Sequence, residues 1–524
     1  MAVWSLAHKS RAGAGTGWPL APLIYELYPR SFQDSDGDGI GDLPGILRRA
    51  DYLHDLGVDA VWICPFMPSP WVDGGYDVTD YCAIHPALGT MKDWSALTEA
   101  LHDRGLKVMI DLVLNHTSDQ HPWFDKSAQR DPGYVDHYVW RDAKEDGAPP
   151  TNWIGRFGDL SWSWDHRRQQ YYLHNYMSAQ PALNLRCPNV QAEVQRIFAF
   201  WTDNGVDGFR LDAVTSYLCD PEFRDNPPAS PEVRDKMDGE PFLPYVRQDH
   251  KHDFLPGDGA AYCDNLRAWA GETAYLLGEV GTGNQSVEVC NDFTDGDRLN
   301  AGYVVDLAQF GFSAQVAADL IARRAAAMRL AWWTGSHDRA RQPKRPDDPE
   351  ARLQLMFLAL MPGPALVYQG QELGLPQPEL SRDDTTDPYD LAFWPDGPGR
   401  EGARVPLPWS RAQANGFTTG TPWLPMRWAD GIDVETQDSD GGSVLSFARQ
   451  VFALRRELDL ASLPDAEWQR DGDVLTIRHQ TARVVFNFGH EDVKTGSDTV
   501  PDLTSAQGGT DTVLPPRSAA FWRL

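Results

Sequence analysis

Between Ile24 and Tyr368 eight short runs of β-branched and aromatic residues alternate with amphipathic stretches, and this rhythm restricts the fold more than any other feature. The runs are Ile24–Phe32, Val58–Phe66, Leu106–Leu114, Val206–Val214, Ala274–Val280, Tyr303–Asp306, Arg329–Thr334 and Pro364–Tyr368. Strands that alternate with helices build a parallel sheet with helical crossovers. Between the first two runs, Leu43, Ile46, Leu47, Ala50, Leu53 and Leu56 recur at helical spacing up to Gly57, a residue suited to ending a helix. The stretch Lys92–Arg104 behaves likewise and stops at Gly105. Eight such units closing on themselves form an α/β fold, the (β/α)₈ TIM barrel, whose chemistry sits at the C-terminal ends of its strands.

Two gaps are too long to be simple βα connections. One, about residues 117–183, is rich in Trp, Pro, Gly and Asp; the other, about Gly374 to Gly431, follows the eighth run. Both are expected on the face that carries the strand ends. After a helix near Val444–Leu458, the segments VLTIRH, ARVVFNF and AAFWRL alternate as antiparallel strands do. The expected organisation is a barrel over residues 1–116 and 184–458, an inserted subdomain over 117–183, and a C-terminal β-sandwich-like domain over 459–524.

Charge narrows the range of partners. With 47 Lys and Arg against 75 Asp and Glu, the net charge of −28 repels nucleic acid and anionic membranes and favours a neutral or cationic small molecule. Aromatic residues make up 11% of the chain, and their flat faces suit sugar rings. No apolar run approaches the ~20 residues of a membrane helix, and the first residues lack the apolar core of a signal peptide. Six cysteines without a C-x-x-C pair fit reduced thiols in a cytoplasm. No motif asks for an organic cofactor, and monomer and homodimer both stay open.

Three acids stand where a barrel would place catalytic groups: Asp212 in GFRLDAV, Glu279 in LLGEV and Asp338 in GSHDRAR. A single acid after a strand is as often a helix cap or a loop ion pair. Three together, with Arg210 and His116 also at strand ends, point to a site. Carboxylates that share a pocket suit glycoside hydrolysis, in which one is ionised and another protonated. Spacing alone does not assign those roles.

The stretches DLVLNH (Asp111–His116), GFRLDAV (Gly208–Val214), GEV (Gly278–Val280) and HD (His337–Asp338) resemble, in order, the four signature regions of the α-amylase family of glycoside hydrolases. IYELYPRSFQDSDGDGIGDLPGI, GYDVTDY, YQGQELG and WLP are similar to its oligo-1,6-glucosidase and α-glucosidase branch. The resemblance implies retaining chemistry, with Asp212 as nucleophile, Glu279 as acid and base, and Asp338 as transition-state stabiliser. A retaining pair of carboxyl groups stands about 5–5.5 Å apart. Arg210, on the same strand face as Asp212, would keep the nucleophile ionised. The resemblance also implies that His116 and His337 donate to glucose hydroxyls, that Asp77 grips the terminal sugar, that Tyr76 stacks on it, and that Arg404 reaches the site from the late insertion.

The segment DSDGDGIGD brings Asp34, Asp36, Asp38 and Asp42 together at near-alternate positions, a set of oxygen ligands for Ca²⁺ or Mg²⁺. Position 12 of this loop is Gly45 rather than Glu, which disfavours an EF-hand. In the family it resembles, the loop holds a structural metal, with the Ile40 carbonyl contributing.

Some positions depart from the family pattern. Ser336 replaces the usual Asn, and Val405 and Leu407 replace Thr and Met. Ala213 follows the nucleophile; in the family a small residue there goes with α-1,4 cleavage and Val with α-1,6. The implied activity is exo-acting α-glucosidase action on short oligosaccharides or disaccharides, α-1,4 or broad. The runner-up is a transglucosylase or isomerase of the sucrose isomerase or trehalose synthase type. A starch endo-amylase and a non-catalytic partner subunit stand further off, the latter because all three acids are present.

Overall fold

The computed structural model describes residues 17–235, 237, 242–281, 285–459, 466–479, 481–497, 499–506 and 512–524. Most of the segment read for a leader lies outside them. Eight parallel strands form the barrel: β1 (Leu23–Leu27), β2 (Ala60–Ile63), β3 (Lys107–Leu112), β4 (Gly208–Leu211), β5 (Tyr275–Val280), β6 (Ala301–Val304), β7 (Leu330–Ala331) and β8 (Ala365–Tyr368). Chain neighbours pair from β1 to β7, and β8 returns to pair with β1. Trp332 completes the ring between β7 and β8: its N–H donates to the Pro364 carbonyl at 2.8 Å and its carbonyl accepts from Leu366 N at 2.8 Å.

Most of these strands are shorter than the apolar runs that announce them. β1 stops at Leu27 because Pro29 opens a single 3₁₀ turn over Pro29–Ser31. The expected helix before Gly57 is two helices, Leu43–Arg48 and Ala50–Leu56, which meet at Arg49 (φ −107°, ψ 12°). Gly57 ends the second in the left-handed region, φ 90°.

Period-2 alternation decides what enters the barrel. Ile24, Trp62, Met109, Leu277, Tyr303, Leu366 and Tyr368 pack together as an inner core. Their outward neighbours Tyr25, Val61, Ile110, Phe209, Leu276 and Val367 join the larger strand–helix core. Continuing the inner series toward the C-terminal ends brings Glu26, Asp111, Arg210 and Glu279 onto the same interior face.

Three attachments complete the chain. The insertion after β3 contains a small antiparallel sheet of Trp140–Arg141, Gln170–Leu173 and Trp162–Asp165, with its own core of Trp153, Trp162, Leu173 and Ala182. The insertion after β8 contains the short helices Pro388–Ala392 and Arg400–Ala403. The C-terminal part holds a five-stranded antiparallel sheet over Glu467–Arg523, with a two-stranded sheet, Val493–Lys494 with Val513–Leu514, beside it. Phe486 and Phe488 pack on Phe357 of the helix Pro349–Leu360, at ring separations of 5.7 and 6.0 Å.

Candidate active site

A cavity of about 190 Å³ opens at the C-terminal strand ends and is lined by Asp212, Glu279 and Asp338 among others. Arg210 is its organising cation. On β4 it lies beside Asp111 of β3 in the parallel register, and its Nη1 donates to Asp111 Oδ1 and to Asp212 Oδ1, each at 2.7 Å. Its Nη2 lies 2.8 Å from Glu279 Oε2 and 2.7 Å from the Tyr303 hydroxyl. The two acids read as nucleophile and proton donor therefore share one guanidinium. Asp111 is held on its other oxygen by the Tyr76 hydroxyl at 2.8 Å and Trp62 Nε1 at 3.1 Å.

Burial raises the Asp212 carboxyl well above its usual range; Arg210 opposes this, while Glu279, Asp111 and Asp338 add to it. Three carboxylates around one cation thus favour keeping a proton in the cluster. Ala213, directly after Asp212, sits in the left-handed region at φ 46°, which is uncommon for a residue with a side chain. Its N–H donates to Glu279 Oε2 at 2.8 Å, so the turn that leaves the nucleophile also fixes the second acid.

Asp338 lies in the loop after β7 and faces a different set of cations. Its Oδ1 accepts from Arg404 Nη2 at 2.7 Å and Arg400 Nε at 3.0 Å. Its Oδ2 is 3.2 Å from His337 Nε2, within ion-pair range but not aligned for a hydrogen bond. Burial raises this carboxyl, but His337, Arg400 and Arg404 override it and hold Asp338 well below the ordinary carboxylate range. His337 itself is stacked against Tyr76, 5.0 Å away and nearly parallel at 8°.

Two expectations change at this point. Asp77 is fully buried and does not line the cavity. Its Oδ1 accepts from the Ser69 hydroxyl at 2.6 Å and its Oδ2 from Val72 N at 2.9 Å, so it folds the loop from Ser69 to Asp77. Burial raises its carboxyl to about 6, against the Ser69 bond and with help from Asp73. The carboxylate of this loop that does line the cavity is Asp73, paired with Arg400 at 2.8 Å. Arg404 lies beneath, against Asp338 and Asp387, and Arg400 is the arginine at the cavity wall. One turn of the helix Arg400–Ala403 separates the two arginines, which is why both reach Asp338.

Tyr76 and His116 also line the cavity. His116 Nε2 is 2.7 Å from the Tyr76 carbonyl, and burial pulls its imidazole down to about 4, so it is neutral near pH 7. At the same cavity, Phe157 of the inserted subdomain meets Tyr389 of the late insertion at 4.7 Å. Both rings line the cavity, so the two insertions together wall it.

In the acidic loop, Asp34, Asp36 and Asp42 each offer an oxygen within 4.8 Å of the others. Asp38 stays outside that trio, and its Oδ1 accepts from Ile40 N at 2.8 Å. Gly39, at φ 94°, lies so close to the Thr421 carbonyl that an added Cβ would sit 1.9 Å from it, which ties the loop to the late insertion.

Asp73, Arg400, Glu26, Asp111 and Tyr303 belong to the site beyond the residues expected from the sequence. Asp111 lies inside a quoted motif, and Glu26 and Tyr303 lie within expected strands, where inward alternation could have found them. Asp73 lies in an irregular loop, and Arg400 opens a four-residue helix too short to carry a periodic signal.

The α-amylase catalytic-domain family matches residues 26–462. A probable α-glucosidase of Rhizobium meliloti (strain 1021) is 41% identical over 84% of this chain and 82% of its own length. The oligo-1,6-glucosidase of Parageobacillus thermoglucosidasius is 33% identical, covering 84% of both chains. Among solved structures, that of the α-glucosyl transfer enzyme XgtA superposes with a TM-score of 0.87 at 36% identity, covering 96% of this chain and 99% of that one. The trehalulose synthase MutB of Pseudomonas mesoacidophila MX-45 gives 0.82 at 27% identity, covering 96% and 99%. Among the described residues, no helix is long and apolar enough to cross a membrane.

Proposed function

Because the chain belongs to the α-amylase family of glycoside hydrolases, we propose that it is a retaining, exo-acting α-glucosidase that releases glucose from short oligosaccharides or disaccharides. The observation that carries this reading is the pair Asp212 and Glu279 on one guanidinium, in a cavity that Phe157 and Tyr389 of the two insertions also line. A small pocket lined by both insertions suits a chain end better than a chain middle.

In this reading Asp212 attacks the anomeric carbon while Glu279 gives its proton to the leaving oxygen. Glu279 then takes a proton from water as the glucosyl–Asp212 bond breaks, which returns glucose with its original configuration. Arg210 lowers the cost of a charged Asp212 in a buried setting. Asp338, kept ionised by its three cations, accepts hydrogen bonds from sugar hydroxyls that strengthen as positive charge develops on the ring. Asp73 and Arg400 hold the terminal sugar beside Tyr76 and His116. Ala213 leaves room that favours α-1,4 or broad linkage use, a methyl-scale effect worth about 1–3 kcal/mol.

Asp34, Asp36 and Asp42, with Asp38 and the Ile40 carbonyl nearby, would hold a single structural Ca²⁺ or Mg²⁺; hard carboxylate oxygens fit either ion. The ion would brace the loop and take no part in the chemistry. Six free cysteines accord with a cytoplasmic setting.

Glucosyl transfer uses the same covalent intermediate, and the structural likeness to a glucosyl transfer enzyme and a trehalulose synthase favours this as the second reading. The test is incubation with maltose, isomaltose, sucrose and maltotetraose, with products and their anomeric form followed over time. Early release of α-glucose is expected. First release of β-glucose would overturn retention; dominant isomaltulose or trehalose would overturn hydrolysis; no turnover on any of the four would overturn the glucosidase.

A further inference from the structure

A second cavity, of about 360 Å³, lies between the inserted subdomain and residues 217–223, which follow the nucleophile loop. It shares no lining residue with the catalytic cavity. Its size falls within the range of small-molecule sites. Tyr138, Trp140, Tyr217 and Phe223 give it flat apolar walls.

Two guanidinium groups on these walls have no carboxylate within ion-pair distance among the described residues. Arg168 is 6% exposed, lies over the Trp140 ring at 4.6 Å, and donates from Nε to Gln170 and from Nη1 to Ser127. Arg141 lies over Phe223 at 3.7 Å and donates to the Trp140 carbonyl. Among the described residues neither is within ion-pair distance of an acid, whereas Arg186 at the same cavity is matched by Asp258 at 2.8 Å. The one acid on the lining, Asp136, is exposed. Burial pulls Arg168 down to about 10, with Arg130 adding to the effect and the Asp136 and Asp165 charges opposing it. A buried cation with no acid in direct contact is costly to keep charged, and in a chain of net charge −28 acids to match it are plentiful. Stacking on an aromatic ring leaves the guanidinium edge available, and the edges not used on Ser127, Gln170 and the Trp140 carbonyl, Nη2 of Arg168 and Nε and Nη2 of Arg141, suit an oxyanion.

We propose that this cavity binds a small organic oxyanion, a carboxylate or phosphate ester, whose charged end lies on Arg141 and Arg168 and whose flat body rests among Tyr138, Trp140 and Phe223. The site is separate from the one that turns over glucosides. Phenyl phosphate and benzoate probe the two oxyanion classes, and phenol is the uncharged control.

Thermal unfolding of the full chain, at constant ionic strength, reads binding as a rise in midpoint with ligand concentration. At least one of the two anions is expected to raise the midpoint and phenol is not; the stronger of the two responses identifies the oxyanion. Arg141→Ala removes an exposed side chain, so the unliganded midpoint is expected to stay at the wild-type value while anion binding weakens about tenfold. Phe223→Leu, a second variant, is expected to weaken both anions. No rise with either anion, an equal rise with phenol, or an anion response untouched by Arg141→Ala would overturn the proposal.

Discussion

Glu26 Oε1 lies 2.6 Å from His337 Nδ1 and 3.1 Å from the His337 backbone nitrogen, both residues being 1% exposed. The imidazole thus bridges Glu26, at the end of β1, to Asp338, in the loop after β7. Burial alone would pull His337 down; the Asp338 charge, with Cys64 adding to it, overrides burial and raises the imidazole well above its usual range. For a histidine raised in this way, the charged-form interactions are present at low pH and are lost as pH rises through the folded value. Glu26→Gln removes the carboxylate on the far side of the ring. The expected result is a folded enzyme whose kcat/KM on maltose falls about 10- to 100-fold, with its alkaline limb moved to lower pH. An unmoved limb would mean that Glu26 only fills space.

Asp73 and Arg400 are expected to carry binding of the terminal sugar. Asp73→Ala leaves Arg400 with Asp338 and Asp387 but takes away a wall carboxylate. KM is expected to rise by more than kcat falls, with kcat/KM lower by about 100-fold or more, because a buried charge pair loses one member. Steady-state kinetics on maltose measure the split. The matching change Asp77→Ala acts differently: it loosens the loop and lowers the unfolding midpoint.

Asp77 also gives a stability signature. Its folded carboxyl is raised to about 6, so its contribution is complete below the unfolded value and is lost as pH rises through about 6. Asp77→Asn keeps the shape and cannot ionise. Urea unfolding from pH 4 to 8 is expected to show the variant gaining on the wild type across pH 4–6, by about 1–3 kcal/mol at the plateau. A pH-independent difference would place the ionisation elsewhere.

Chelation tests the acidic loop. Treatment with EDTA is expected to lower the unfolding midpoint of the wild type, and added Ca²⁺ to restore it. Asp36→Ala, which changes an exposed member of the converging trio, is expected to abolish that response while leaving turnover within about twofold at low temperature.

The barrel and the positions of the three acids were legible in sequence because both follow period-2 alternation and short motifs at strand ends. Asp212 and Glu279 each follow an apolar run, and the register of parallel strands does the rest. The loop residues were not legible in this way. Asp73 and Asp77 stand four positions apart, and the backbone between them passes through Gly74 and Gly75 at φ 59° and 115°. Which of the two acids faces the cavity depends on that turn, which no motif encodes. Arg400 and Arg404 pose the same problem, since one helical turn puts both beside Asp338. The second cavity was invisible because its walls come from four separate segments.

Asp338 receives two of its three counter-charges from Arg400 and Arg404, beyond the last barrel strand. A growing chain that has already made all eight strands still holds this acid without most of its partners. The catalytic end of the barrel is therefore electrostatically unfinished during synthesis until the segment after β8 has folded back, so the late insertion is part of the machinery rather than an ornament on it. A product cut short before residue 400 would be expected to have a barrel-like core with a strained, charge-repelling mouth.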